Sequence, residues 1–244
     1  MLWWSVADKQ ARAAFLASFD ESHRITLSGD ARAVLEIGKD GWPLPVPIVR
    51  GPQGWYFDTA AGEDEMVNRR IGRNELSTIQ VMLTYVDAQR EYASEDRDGS
   101  GARSYAMKLR STPGKRDGLY WPTTEGESQS PLGPLFADAA KEGYPGHDAA
   151  TTTPTAYHGY YYRILTGQGT DAPGGAYEYV AGGRMIGGFA LLAYPASYRV
   201  SGIMSFIVGP DGIVYEQDLG PDTTGTATGM TTYNPDRSWR RVDQ

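Results

Sequence analysis

From Glu63 to Glu95 the chain runs for 33 residues with one glycine, Gly72, and no proline. Only a long helix makes use of such a stretch, because nothing in it favours a turn and nothing removes a backbone donor. Leu76, Ile79, Leu83, Val86 and Ala93 follow the three-four spacing of one face, and Val81, Tyr85, Ala88 and Tyr92 form a second stripe beside it. An apolar arc that wide predicts a helix buried against another layer. The two aspartates and two glycines of Asp96-Arg97-Asp98-Gly99-Ser100-Gly101 predict its stop.

The remaining segments supply that layer. Strands are predicted over His158–Leu165, Tyr177–Val180, Gly188–Tyr194, Gly202–Val208 and Ile213–Leu219, with Gly209-Pro210-Asp211-Gly212 turning the last pair. Phe189–Tyr194 and Ile203–Val208 are apolar on both alternating faces and are expected at the centre of a sheet covered on both sides. Ile213–Leu219, which carries Glu216 and Asp218, belongs nearer an edge, and the tail after Gly220 reads as an irregular wrap anchored by Tyr233 and Trp239.

Ahead of the long helix, apolar residues from Trp3 to Phe19 predict an amphipathic helix to about residue 22. Short strands over Ala31–Ile37, Leu44–Arg50 and Trp55–Asp58 then form a small meander. Pro43, Pro45 and Pro47 lack donors at alternate positions, so the middle strand is expected at an edge or in an extended form. The fold expected is α+β: a helix-and-meander subdomain over 1–62, then a domain over 63–244 in which a long helix packs on an antiparallel sheet. The Gly-, Pro-, Ser- and Thr-rich segment 102–157, with a short helix over Leu135–Glu142, is its decorated loop, and loops of that length tend to be functional.

Composition removes several chemistries. The 244 residues contain no cysteine, which excludes disulfides, thiolate metal sites and cysteine nucleophiles. A net charge of −7, with Arg69, Arg70 and Arg73 offset by Glu63, Asp64, Glu65 and Glu75, argues against nucleic acid as a partner. No run of about 18 apolar residues predicts a membrane span, and Met1-Leu2-Trp3-Trp4 is too short for a signal-peptide core, so an exported protein would be represented here in mature or trimmed form. With three histidines and no G-x-S-x-G or H-E-x-x-H pattern, neither a serine triad nor a zinc hydrolase is indicated. Paired carboxylates of a hydrolase need only face each other across a cleft, and the sequence singles out no pair.

Two local patterns nominate sites. Asp96-x-Asp98-x-Ser100-Gly101 places oxygen ligands on alternate residues before a sharp-turn glycine, the opening of a Ca2+ loop. Met107 stands where the closing bidentate glutamate would be, so Glu91, Glu95 or a distant carboxylate would have to complete it. The alternative is a polar helix stop whose aspartates cap their own backbone. The run Tyr157-His158-Gly159-Tyr160-Tyr161-Tyr162-Arg163 is aromatic on both faces of a strand. Tyr157, His158, Tyr160 and Tyr162, together with Trp121 of the loop, are the candidate binding residues, suited to a sugar or peptide and equally to filling a sheet-helix layer.

Several longer segments resemble a bacterial family designated domain of unknown function 2950. They include Trp42-Pro43-Leu44-Pro45-Val46-Pro47, residues 54–62, Arg69-Arg70-Ile71-Gly72-Arg73-Asn74-Glu75-Leu76, residues 85–93, and Pro113-Gly114-Lys115-Arg116-Asp117-Gly118-Leu119-Tyr120-Trp121-Pro122. Ser130-Pro131-Leu132-Gly133-Pro134-Leu135, residues 157–165 and residues 188–196 continue the match. The resemblance implies an exported envelope protein, periplasmic or secreted, and it carries no catalytic residues to transfer. The order of parts bears a looser resemblance to the soluble portion of pilin-like proteins, and the role expected of the chain is non-catalytic, through protein or ligand binding, with an unknown protein partner in the envelope. The chain departs from that pattern in having a strand subdomain where a membrane-anchoring half-helix would precede.

Overall fold

In a computed structural model the described residues are 6–97, 99, 101–124, 126–142 and 155–243, with side chains from residue 12 onward. They form an α+β protein that divides into two compact units, residues 1–69 and 70–244.

In the first unit, α1 (Val6–Glu21) is followed by β1 (His23–Leu27), β2 (Arg32–Ile37), β3 (Trp42–Pro43), β4 (Ile48–Gly51) and β5 (Gly54–Phe57). The sheet is antiparallel in the order β1-β2-β4-β5, with β3 also paired to β2. Ala33, Leu35 and Ile37 alternate along β2 and are buried, and α1 lies against β1 and β2. β1 is absent from the sequence-based expectation, and of the strand predicted over Leu44–Arg50 only Ile48–Arg50 is strand, while Trp42–Pro43 pairs ahead of it. Leu44 still donates to Leu35, but Pro45 and Pro47 have no N–H to give β2, so regular pairing resumes only at Ile48. The resumed strand lies between β2 and β5 and not at an edge.

The long helix, α2 (Thr59–Tyr92), begins four residues before Glu63. Asp58 caps it, its Oδ1 accepting from Ala61 N at 3.1 Å. Gly62 in the first turn has a close-packing role, since a Cβ there would lie 2.7 Å from Val46 Cγ2.

In the second unit the sheet order is β15-β13-β12-β11-β6, built from β6 (Tyr160–Leu165), β11 (Ala190–Pro195), β12 (Met204–Val208), β13 (Val214–Asp218) and β15 (Arg240–Arg241). All pairs are antiparallel, and the doubly apolar β11 and β12 are central, as their sequences require. Between these elements in chain order come α3 (Gly133–Lys141), β7 (Gly167–Gln168), β8 (Tyr177–Glu178), β9 (Val180–Ala181), β10 (Arg184–Met185), α4 (Thr223–Gly229) and β14 (Thr232–Tyr233). The β9–β10 hairpin stands apart, and β14-β7-β8 make a small third sheet in which β14 and β7 are parallel.

From Arg70 onward α2 buries Thr78, Val81, Met82, Tyr85, Val86, Ala88, Gln89 and Tyr92 in this unit's core. The stripe through Tyr85 and Tyr92 is thus the centre of the buried face. Ile79 and Leu83 flank it half-buried, and Leu76 is 67% exposed. The tail is more ordered than an irregular wrap: α4 precedes β14, and Arg163 of β6 donates to the carbonyls of Ala227, Thr228 and Met230 where that helix ends. Tyr233 is buried and Trp239 packs against the core at its rim.

The segment after Gly101 is less a loop than a strap. Ala106, Leu119, Trp121 and Leu132 are core residues. Tyr105 N donates to Met185 O at 2.8 Å, and residues 108–111 and 119–120 exchange backbone hydrogen bonds with each other.

Candidate functional site

The tyrosine run opens on a two-residue hairpin. Tyr157 and Tyr160 exchange N–H···O bonds of 2.9 and 3.0 Å around His158 (φ 48) and Gly159 (φ 74), two successive positive values that match the twist of the strands. Gly159 is obligatory here, as a Cβ would stand 2.6 Å from Asn74 Nδ2. His158 holds a left-handed backbone that non-glycine residues seldom adopt, and its Nε2 is 3.7 Å from Glu142 Oε2.

A second turn over 197–202, with Arg199 at φ 59, adjoins the first through Ala196 N to Gly159 O, 2.9 Å. One edge of α2 fastens that turn. Arg70 Nε donates to Val200 O (3.1 Å), and Asn74 Nδ2 to Ser201 O (2.8 Å). Glu75 Oε1 accepts from Ile203 N and Met204 N at 2.9 and 3.0 Å. These polar side chains interrupt the apolar stripe of a buried helix, and that interruption is the signal that could have nominated them.

The candidate binding residues divide by burial. Tyr160 is fully buried; its hydroxyl donates to Met204 O at 2.8 Å, and burial, together with neighbouring Glu75, pushes its pKa up, so it stays protonated as a core hydroxyl. Tyr162, half-buried, reaches Thr78 Oγ1 at 3.3 Å, while Tyr157 and His158 are half-buried at the turn. Trp121, only 6% exposed, lies elsewhere, between guanidinium groups: Arg97 is 5.8 Å and Arg116 5.4 Å from its ring. The structure therefore gathers Tyr157, His158, Tyr160 and Tyr162 and leaves Trp121 in a cation-aromatic cluster of its own.

Of the calcium-loop residues, Asp98 and Ser100 lie outside the described residues. Asp96 Oδ2 accepts from Gly101 N at 2.8 Å, a self-capping helix stop. Glu91 and Glu95, the acids available to complete a site, stand 3.7 and 3.8 Å from Arg97 Nη2. Among the described residues no group of three or more His, Cys, Asp or Glu is placed to hold a metal ion.

Beyond Trp121 the strap presents more cations. Lys108 pairs with Asp117 at 2.7 Å, and Arg110 stands 4.9 Å from the rings of both Tyr120 and Phe136, which stack at 4.0 Å. Asp117 closes the turn. Burial acts to raise its pKa, but the Lys108 ammonium and the Thr112 N–H and hydroxyl outweigh it and bring the carboxyl to about 2. Gln89 of α2, fully buried, secures the strap from below. Its Oε1 accepts from Ala106 N (2.8 Å), and its Nε2 donates to Ala106 O (2.8 Å) and Tyr85 Oη (2.9 Å).

A groove of about 470 Å³ separates α2 from the tail, with Leu76, Ile79, Leu83 and Val242 on its walls and Asp243 as the carboxylate among its described lining residues. No helix is long and apolar enough to cross a membrane among the described residues.

These features define an α+β protein whose surface chemistry gathers on a strap of cations and aromatic rings clamped to a helix-on-sheet core. The chain belongs to the family of proteins of unknown function designated DUF2950, whose model matches residues 4–242. No curated protein and no solved structure gives a significant match.

Proposed function

We propose that this chain is a non-catalytic protein of the bacterial envelope, periplasmic or secreted, that works by holding a protein partner against the strap that follows Gly101. The observation that carries the reading is the Gln89 clamp. Both backbone groups of Ala106 are fixed to the core helix, while Arg103, Lys108, Lys115 and Arg116 are exposed. A surface segment held this firmly presents its side chains in one arrangement, which lowers the entropic cost of binding. The order of parts, a long helix packed on an antiparallel sheet, supports kinship of the second unit with pilin-like assembly domains, which also act through surfaces.

The test is to express the protein from its own gene in a producing cell, place a photo-crosslinking residue at Arg103 or Lys115, and fractionate. The expected result is an envelope-located chain with a discrete cross-linked protein adduct. A chain confined to the cytoplasm, or one that gives no adduct from either position, would overturn the reading.

A further inference from the structure

We propose that the partner segment seated on the strap is an acidic peptide, bound through its carboxylates by the face that carries Arg97, Lys108, Lys115 and Arg116. This rests on the proposed function and names the chemistry of its partner.

Charge is the first ground. Residues 102–121 contain five cations, Arg103, Lys108, Arg110, Lys115 and Arg116, and one carboxylate, Asp117, a local charge of +4 in a chain of −7; the other residues therefore carry −11. That lone carboxylate is committed to its own turn, by Thr112 N at 2.7 Å and Lys108 Nζ at 2.7 Å. Lys115 and Arg116 sit exposed at the tip of the turn so closed, Lys115 without an ion pair among the described residues and Arg116 within electrostatic reach of Glu127. Arg103 is likewise exposed and unpaired.

The second ground is independent of charge counting. Trp121 Nε1 and Arg97 Nε are buried and have no hydrogen-bond acceptor among the described residues. Buried donors are nearly always paired, and leaving one unpaired costs about 1–3 kcal/mol. Both belong to the cluster in which Arg97 and Arg116 approach the indole, and since Nη2 of Arg97 already faces Glu91 and Glu95, a carboxylate entering there would meet the Arg116 guanidinium and the two unpaired N–H donors. Arg116, exposed and stacked on the ring, is the group that would shift to admit it. Its planar fork then matches a carboxylate in two-point geometry.

The rings around these cations favour a peptide over the other anions. Trp, Tyr and Arg are the residues that dominate protein interfaces. A membrane surface would require apolar tips beside the cations, and on this stretch Met107, 43% exposed, is the only large one.

The experiment is a fluorescence-anisotropy titration of the full chain with a labelled peptide of alternating Glu and Gly, at about 50 and 200 mM salt. Inorganic polyphosphate and phosphatidylglycerol vesicles serve as comparators. The peptide should bind and weaken with salt. Lys115→Glu with Arg116→Glu should cost about tenfold or more in affinity, whereas Arg73→Glu with Arg237→Glu, the same change of charge elsewhere, should cost less than about threefold. Lys115→Ala with Arg116→Ala should weaken binding in the same direction, which covers misfolding of the reversed pair. Trp121→Phe keeps a ring but drops the N–H, and should weaken binding at unchanged salt sensitivity. No peptide binding at low salt, equal loss in both reversed pairs, or binding of polyphosphate or vesicles but not peptide would overturn the inference. An envelope-specific adduct at Lys115 without acidic-peptide binding would refute this chemistry alone and leave the proposed function standing; absence of the adduct would refute the latter.

Discussion

Replacing Gln89 by Met removes one side chain and unpairs two backbone groups at once. The side chain is fully buried, and Met has nearly its volume, so little of the effect should come from an empty cavity. What remains is the loss of the acceptor for Ala106 N and the donor for Ala106 O, both at 2.8 Å, while Tyr85 Oη keeps its bond to Ala190 O at 3.2 Å. Each buried backbone group left unsatisfied costs about 1–3 kcal/mol, so the variant should lose about 2–6 kcal/mol. For a chain of this size that corresponds to a fall of roughly 4–24 °C in Tm, read by circular dichroism. Hydrogen exchange adds a local readout: the Ala106 amide should lose protection well before residues of β12. Gln89→Glu sharpens the reasoning. At neutral pH its carboxylate accepts from Ala106 N but repels Ala106 O, so it should be at least as damaging as Met; once protonated it donates to that carbonyl and should recover on acidification. A Met variant within about 0.5 kcal/mol of the parent, with unchanged protection at Ala106, would refute the claim that the strap is hung on this side chain.

Gly202→Ala places a Cβ 2.0 Å from Tyr160 Oη and should cost more than about 2 kcal/mol in chemical denaturation, less when combined with Tyr160→Phe, since the nearest clashing atom is then gone. His158→Val puts a β-branched residue at φ 48 and should destabilise by about 1–2 kcal/mol, whereas His158→Gly should not. Asp117 is held at about 2 in the folded chain against an ordinary 3.8, so its contribution is complete above the unfolded value and lost as pH falls from about 4 through 2. Asp117→Asn should therefore lower stability at pH 7 by on the order of 1 kcal/mol after solvent screening, and the gap should close near pH 2. Because Asp96 is engaged by the Gly101 N–H and Glu91 and Glu95 face Arg97, a chelator should leave Tm unchanged; a Ca2+-dependent rise of several degrees would revive the calcium loop.

The parts of the fold that announce themselves are those in which one segment decides its own structure. A stretch without proline commits α2, and β11 and β12, apolar on both faces, declare themselves central. Where another segment decides, the reading falters. α4 is Thr-Thr-Gly-Thr-Ala-Thr-Gly, poor helix material, and Arg163, some 64 residues away, caps its end. Pro45 and Pro47 have no N–H for a ladder, but that the strand resuming at Ile48 lies between β2 and β5 depends on those strands and not on its own prolines. The candidate site follows the same rule. The aromatic run was visible, yet burial of Tyr160 and Trp121 depends on α2 and on the strap. Gln89, a polar residue on the buried face, was the visible anomaly of the clamp; nothing in sequence pairs it with Ala106.

A side chain that engages both backbone groups of one residue stands in for a neighbouring β-strand one residue long. It sets the phase of the strap at Ala106, and the backbone bonds of residues 108–111 to 119–120 carry that phase on to the Asp117 turn. Residues at the tip of that turn can thus change length or character while everything anchored to α2 keeps its register. Gly114, at the tip of that turn, is the place where a foreign sequence could be grafted and displayed with the core undisturbed.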